Sequence, residues 1–210
     1  MTLGLGTGST AAWFVKALGA RAKAEGLKLL CVSTSNATED LAREVGLSTL
    51  PLGEAGEIDL TVDGADEIGP HLALIKGGGG ALLREKLVWQ ASKRCVVIAD
   101  AAKRVPTLGA FALPVEVVAF GHQSTARRLT ARLREVGIMA PPRLRIRNGQ
   151  AFTTDSGNPI YDIDCGVIDD PARLAADLKA LTGVVEHGLF LGLASEALVG
   201  TDAGVERLHA

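Results

Sequence analysis

The segment from Asp63 to Lys86 concentrates the residue types that acid–base chemistry on carbon requires. It reads Asp63-Gly64-Ala65-Asp66-Glu67, then Lys76 with Gly77-Gly78-Gly79-Gly80, then Arg84-Glu85-Lys86. A positioned carboxylate can take a proton from carbon, and the oxyanion left behind needs donors fixed in advance. Lys76 offers a cation, and the glycines offer bare amides directly before a helix, where the helix dipole favours negative charge. Four glycines cost backbone entropy; a flexible linker is the competing reading, but a run set against a helix start is a poor linker. Glu85 falls one turn inside that helix. Residue 89 is Trp, so Glu85 lacks the Lys at i+4 that a solvated surface pair would use. Its position lets it point back over the glycines toward Lys76.

Asp63 follows an apolar strand at 58–62, and ligands of open α/β sheets bind beyond the carboxyl ends of the strands. Gly64 lets the chain turn sharply, which brings Asp66 to the same crevice; turn and capping duty is the competing reading for both acids. A second glycine-rich loop, Gly4-Leu5-Gly6-Thr7-Gly8-Ser9-Thr10, joins a strand to a helix. Ser9 stands where a dinucleotide fingerprint needs its third glycine, and the next strand ends in Ser33-Thr34-Ser35-Asn36 without an acid for a ribose hydroxyl. Amides and hydroxyls at a helix N-terminus suit one phosphate group; a tight βα turn with a Ser cap is the alternative. Lys103, after the strand at 95–99, is either a further cation at the sheet edge or a surface lysine.

The elements that must position these residues alternate. Strands are expected at 3–6, 28–33, 58–62 and 95–99, with helices at 9–26, 36–46 and 81–92 between them. Ala11, Phe14, Val15 and Leu18 give the first helix one apolar face, and Asn36-Ala37-Thr38-Glu39 is close to a capping box. Apolar strands separated by helices mean an open, mostly parallel Rossmann-like sheet with right-handed crossovers. Beyond 106–114 the rhythm changes. Strands at 113–118, 143–147, 151–154, 159–164 and 184–191 accompany helices at 123–136 and 171–181, with a hairpin turn at Asn148-Gly149. That order suits a smaller α+β domain with an antiparallel, ferredoxin-like sheet. The expected division is 1–108 with 194–210 for the first domain and 109–193 for the second.

Composition narrows the function classes. The 210 residues carry a net charge of −2, which gives no electrostatic reason to expect nucleic acid or an anionic membrane as partner. Hydrophobic residues make up 47% but aromatics only 4%, so the core is aliphatic. No apolar run approaches the roughly 20 residues of a membrane span, and no signal peptide is visible at the N-terminus. Cys31, Cys95 and Cys165 form no metal or disulfide spacing and read as small buried hydrophobes. His71, His122, His187 and His209 form no ligand set. No metal site is expected, and the chain reads as cytoplasmic.

These segments together resemble the ribose-5-phosphate isomerase A family. The matching pieces are Gly6-Thr7-Gly8-Ser9-Thr10, Asp63-Gly64-Ala65-Asp66-Glu67, Lys76-Gly77-Gly78-Gly79 with Arg84-Glu85-Lys86, and Ala99-Asp100-Ala101-Ala102-Lys103; Pro114-Val115-Glu116-Val117, Gly183-Val184-Val185 and Gly188-Leu189-Phe190 also fit. The resemblance implies interconversion of ribose 5-phosphate and ribulose 5-phosphate through an enediolate, with no metal or organic cofactor. By position it implies Glu85 as the base between C2 and C1. It implies that Asp63 and Asp66, with Gly64 and Ala65 between them, meet the sugar and assist ring opening. Lys76 with the amides of Gly77, Gly78 and Gly79 would stabilise the enediolate. Thr7, Gly8, Ser9, Thr10 and Lys103 would bind substrate. A homodimer or tetramer is implied as the assembly. The family carries a helix and a phosphate-holding Lys ahead of the first strand, whereas Met1 stands just before that strand here; either the start was assigned too late or the helix is lacking. Two other readings compete: a non-catalytic sugar-phosphate sensor, which needs no base, and a nucleotide-binding Rossmann domain, disfavoured by Ser9 and the missing acid.

Overall fold

The computed structural model describes residues 1–209, and the chain divides into two compact units. The first holds Met1–Ala65, Arg84–Lys103 and the chain from Gly192 onward; the second holds Asp66–Leu83 and Arg104–Leu191.

The first unit is built on a seven-stranded sheet. Its strands, in spatial order, are Gly204–His209, Glu196–Thr201, Cys95–Asp100, Leu60–Asp63, Thr2–Leu5, Leu30–Ser33 and Ser48–Thr49. Every neighbouring pair is parallel except the first, a C-terminal hairpin. From Thr2–Leu5 the chain first builds toward one edge, through Leu30–Ser33 and Ser48–Thr49, and then returns to build toward the other, starting with Leu60–Asp63. The order therefore reverses between Thr2–Leu5 and Leu60–Asp63, the kind of switch point where open α/β sheets leave a crevice. The helix Ser9–Glu25 buries Ala11, Val15 and Gly19, one residue per turn on one face, and stops at a left-handed Gly26. Phe14 and Leu18 pack beside them against Leu3, Leu5 and Cys31. The next helix, Asn36–Glu44, is capped by Ser35, whose hydroxyl accepts from the Thr38 amide at 3.1 Å. The cap is thus one residue earlier than the box expected at Asn36; the Asn36 side chain instead accepts from Arg84 at 2.8 Å.

The second unit carries the expected βαββαβ order. Strand Leu113–Val117, helix His122–Glu135, strands Arg143–Leu144 and Ile160–Ile163, helix Pro171–Lys179 and strand Val184–His187 follow one another. The four strands form an antiparallel sheet in spatial order 4-1-3-2, the ferredoxin-like arrangement. Leu129 and Leu133 from the first helix and Leu174 and Leu178 from the second, each pair one turn apart, cover it above Val115, Val117 and Ile163. The Asn148-Gly149 hairpin is present between Ile146–Arg147 and Gln150–Ala151, both turn residues having positive φ.

Two expected strands are broken. The run at 184–191 divides at Gly188: Val184–His187 joins the four-stranded sheet, while Leu189–Phe190 pairs with Leu74–Ile75 in a separate three-stranded sheet that includes Glu67–Ile68. Gly188 makes the transfer, donating its N–H to Pro114 and accepting from the Lys76 amide. The run at 143–147 likewise divides, its first half in the four-stranded sheet and its second in the hairpin. The three-stranded sheet is also why 66–83 groups with the second unit, although the sequence reading kept it with the first. Among the described residues no helix is long and apolar enough to cross a membrane.

All three cysteines are buried thiols. Burial pushes the Cys31 thiol up to about 11 and the Cys165 thiol up to about 12, because an apolar surrounding disfavours the thiolate. Thiol titration of the native protein at pH 8 is expected to find no fast-reacting cysteine, with all three appearing in guanidinium. Unfolded thiols ionise near 9.0 while those of Cys31 and Cys165 keep their protons in the fold, so stability should fall as pH rises from that value toward the folded ones. A fast native thiol, or melting unaffected by that rise, would contradict the assignment.

Candidate active site

The buried carboxylate of Asp63 organises the candidate residues of the first unit. Asp63 closes the strand Leu60–Asp63 and is 0% exposed. Its Oδ1 accepts from the amides of Thr7 (3.1 Å) and Gly64 (2.7 Å), and its Oδ2 accepts from the Trp89 indole N–H at 3.2 Å. A buried charge is costly unless hydrogen-bonded, and here donors from three segments meet it. The neighbouring strand makes room: a Cβ at Gly6 would lie 2.1 Å from Asp63 Oδ1. Gly6 is therefore needed for this acid and not for a dinucleotide's pyrophosphate.

Thr7 is held from its other side as well. Its hydroxyl lies 2.7 Å from that of Thr34, donates to Ser35 at 2.8 Å and lies 3.2 Å from that of Thr38. Thr38 in turn donates to the Gly6 carbonyl, and Thr34 to that of Leu5. Four hydroxyls thus fix the loop that opens the helix Ser9–Glu25. The cap position of that helix is Gly8, with no side-chain cap, so the first-turn amides that a Ser cap would occupy are left for another acceptor. Gly8 and Ser9 are exposed and Thr10 is half-buried. The Ser cap of the alternative reading is not made, because Ser9 is itself the first helical residue.

Glu85 sits in the first turn of the helix Leu82–Gln90 and is 4% exposed. It is not the solvated surface residue that an ordinary helix Glu would be. Lys103, in a short turn at Ala101–Lys103 after the strand Cys95–Asp100, is half-buried.

In the second unit Asp66 and the glycine run meet. Asp66 is half-buried, its amide donates to Ile75, and its Oδ2 accepts from the Gly78 amide at 2.8 Å. A Cβ on Gly78 would lie 2.6 Å from Asp66 Oδ1, so a side chain there would push the carboxylate off the Gly78 amide. The Gly78 amide is thereby taken up by Asp66, unlike the expectation that it faces a ligand. Lys76 is 2% exposed, with its ammonium 5.4 Å from the centre of the Phe190 ring. Glu67, adjacent in sequence, is a structural acid: its two oxygens accept from the amides of Gly109 and Phe111.

The residues that sequence reasoning missed lie behind the glycines. Arg145 donates from Nη1 to the carbonyls of Gly77 (2.8 Å) and Gly78 (3.2 Å), and Arg147 donates to that of Gly79 at 3.3 Å. Asp162 holds the Arg145 fork at Nε and Nη2, and Phe152 lies under both guanidinium groups. In a trans peptide the C=O of one residue and the N–H of the next point opposite ways. Fixing the Gly78 carbonyl on Arg145 therefore aims the Gly79 amide away from it. Among the described residues, the amides of Gly77 and Gly79 make no hydrogen bond. The signal was the arginine alternation at 143, 145 and 147, which reads as an ordinary polar strand face until its partners are known.

The family model for ribose 5-phosphate isomerase A (phosphoriboisomerase A) matches residues 30–204. The chain belongs to the ribose-5-phosphate isomerase A family. A ribose-5-phosphate isomerase A of Caulobacter sp. (strain K31) is 63% identical over 208 residues, covering 99% of this chain and 90% of that one. Ribose 5-phosphate isomerase from Plasmodium falciparum superposes with a TM-score of 0.94 at 37% identity, covering 100% of this chain and 91% of that one. A D-ribose-5-phosphate isomerase in complex with phospho-erythronic acid gives 0.93 at 35% identity, with the same coverage. Family membership makes this chain an isomerase of the ribose-5-phosphate isomerase A type with an α/β fold.

Arg145→Lys tests the clamp behind the glycines. A lysine keeps the charge but cannot hold Asp162 and two carbonyls in one plane. Isomerase turnover is expected to fall by about tenfold to 10²-fold, because small displacements of catalytic groups are costly. The melting temperature should fall by several degrees. Unchanged turnover would show that the loop keeps its shape without the fork.

Proposed function

We propose that the protein interconverts D-ribose 5-phosphate and D-ribulose 5-phosphate through an enediolate, with Glu85 as the base. The reading rests on Glu85: a carboxylate withdrawn from water within a helix preceded by a glycine run in which, among the described residues, the amides of Gly77 and Gly79 carry no hydrogen bond. Once the sugar ring opens, the aldehyde acidifies the hydrogen on C2. Glu85 takes that proton, and the electron pair moves through C1 onto the carbonyl oxygen. Lys76 and the amides of Gly77 and Gly79 meet the charge that appears there; donors placed beforehand stabilise such a transition state without reorganising. Glu85 then returns the proton to C1, and a proton passes between the two oxygens to leave the ketose.

The remaining roles follow from what each group touches. Asp66 is half-buried and holds the Gly78 amide through one oxygen, which suits it to the sugar hydroxyls and to ring opening. Asp63 is fully enclosed and committed to amides; its role is to shape the loop at 7–10 and, with Gly64 and Ala65, the turn that follows. The uncapped helix start at Gly8, Ser9 and Thr10 and the cation of Lys103 suit the phosphate. The bound phospho-erythronic acid of the relative is likewise a phosphorylated small molecule. The chain works without a metal or organic cofactor, as a cytoplasmic homodimer in this reading, the assembly that family resemblance implies.

Ribose 5-phosphate mixed with purified protein is expected to give ketose at equal rates with and without EDTA. Glu85→Gln should lower kcat by about 10²–10⁴-fold, the usual worth of a general base, with KM and the melting temperature little changed. Near-normal turnover in that variant removes Glu85 from the mechanism. Binding of the sugar phosphate without any ketose would favour a sensor.

A further inference from the structure

We infer that Trp89 is a positioning residue of the isomerase, setting the substrate-binding loop at 7–10 through the carboxylate of Asp63. The inference rests on the reading of that loop as part of the substrate site. Trp89 is 1% exposed and lies one turn beyond Glu85 on the helix Leu82–Gln90, so the two residues share a face. Its indole N–H is a donor only, and the acceptor it meets is Asp63 Oδ2. The other oxygen of the same carboxylate receives the amides of Thr7 and Gly64. The helix that bears the base and the loop that opens the helix Ser9–Glu25 are therefore joined through one side chain.

The consequence is geometric. A carboxylate with donors on both oxygens is locked about its last torsion. With the indole N–H gone, Oδ2 sits buried without that donor, and rotation toward other partners draws Oδ1 off the Thr7 amide. The hydroxyls of Thr34, Ser35 and Thr38 still hold Thr7 by its side chain, so the loop stays folded but loses its setting on the amide side. The open amides that follow Gly8 then lose their aim, which weakens binding while leaving Glu85 in place. Trp89 consequently acts on KM and not on the proton transfer.

Trp89→Phe retains the aromatic body and removes the donor. KM for ribose 5-phosphate is expected to rise about tenfold, the usual loss for a hydrogen bond to a charged group, with kcat almost unchanged. Combined with Asp63→Asn, the change should be strongly non-additive, because both variants break one connection. A purely structural Trp would lower the melting temperature with KM unmoved, and that result, or an additive pair, overturns the inference. The chain has two tryptophans, and Trp13 is 74% exposed. In Trp13→Phe the remaining emission reports Trp89 alone, and it should shift saturably with ribose 5-phosphate. This second measurement decides the matter if Trp89→Phe does not fold; an unresponsive emission counts against coupling. Glu85→Gln separates the two readings: a dead Glu85 variant beside a Trp89 variant of normal KM defeats this inference alone, whereas an active Glu85 variant defeats the mechanism.

Discussion

One interaction governs the first unit: a fully buried aspartate whose charge is met by two backbone amides and an indole. An ionised carboxylate inside a protein is stable only where hydrogen bonds replace its water. Satisfying Asp63 therefore dictates much around it. The chain before the first helix must bring the Thr7 amide inward, and the chain after Asp63 must turn so that the Gly64 amide folds back on the acid. The helix that carries Glu85 must also present an aromatic donor one turn later. Since the acid stands where the strand order reverses, these demands are met at the place where the sheet opens to ligands.

The second unit solves the complementary problem with the opposite charge. Asp63 gathers amides; Arg145 gathers carbonyls, taking those of Gly77 and Gly78 while Asp162 balances its guanidinium. Glycines with many accessible conformations are thereby held in one. Prearranged donors are useful in catalysis only if they do not reorganise, and the arginine fork supplies that rigidity from the side away from the Gly79 amide. The Asp66 carboxylate adds a second point of attachment through Gly78.

Much of this was legible in the sequence. Alternating strands and helices gave the parallel sheet, and the Asn148-Gly149 pair with the later strand order gave the antiparallel unit. Glu85 stood out because the residue one turn on is Trp and not Lys; its burial agrees with that logic. Less legible was anything that depends on a distant partner. Gly6 read only as part of a loop suited to one phosphate group because its reason, the close approach of Asp63, comes from another strand. Gly188 looked like the middle of one strand because the change of sheet depends on Pro114 and Lys76. Ser35 and Asn36 are equally good caps in sequence, and Arg84 decides the outcome by engaging Asn36. Arg145 and Asp162 were invisible because partners 17 residues apart show no local spacing.

The overlap between Gly6 and Asp63 has a bearing on how this sheet can change over time. No side chain fits at the first position, where a Cβ would meet both the carboxylate and the backbone of the second, and a smaller residue at the second would strand two amides and an indole. Neither site can be explored alone without passing through a damaged intermediate. The two positions are thus expected to be inherited as a locked couple, with variation reaching the surrounding helices long before it reaches either of them.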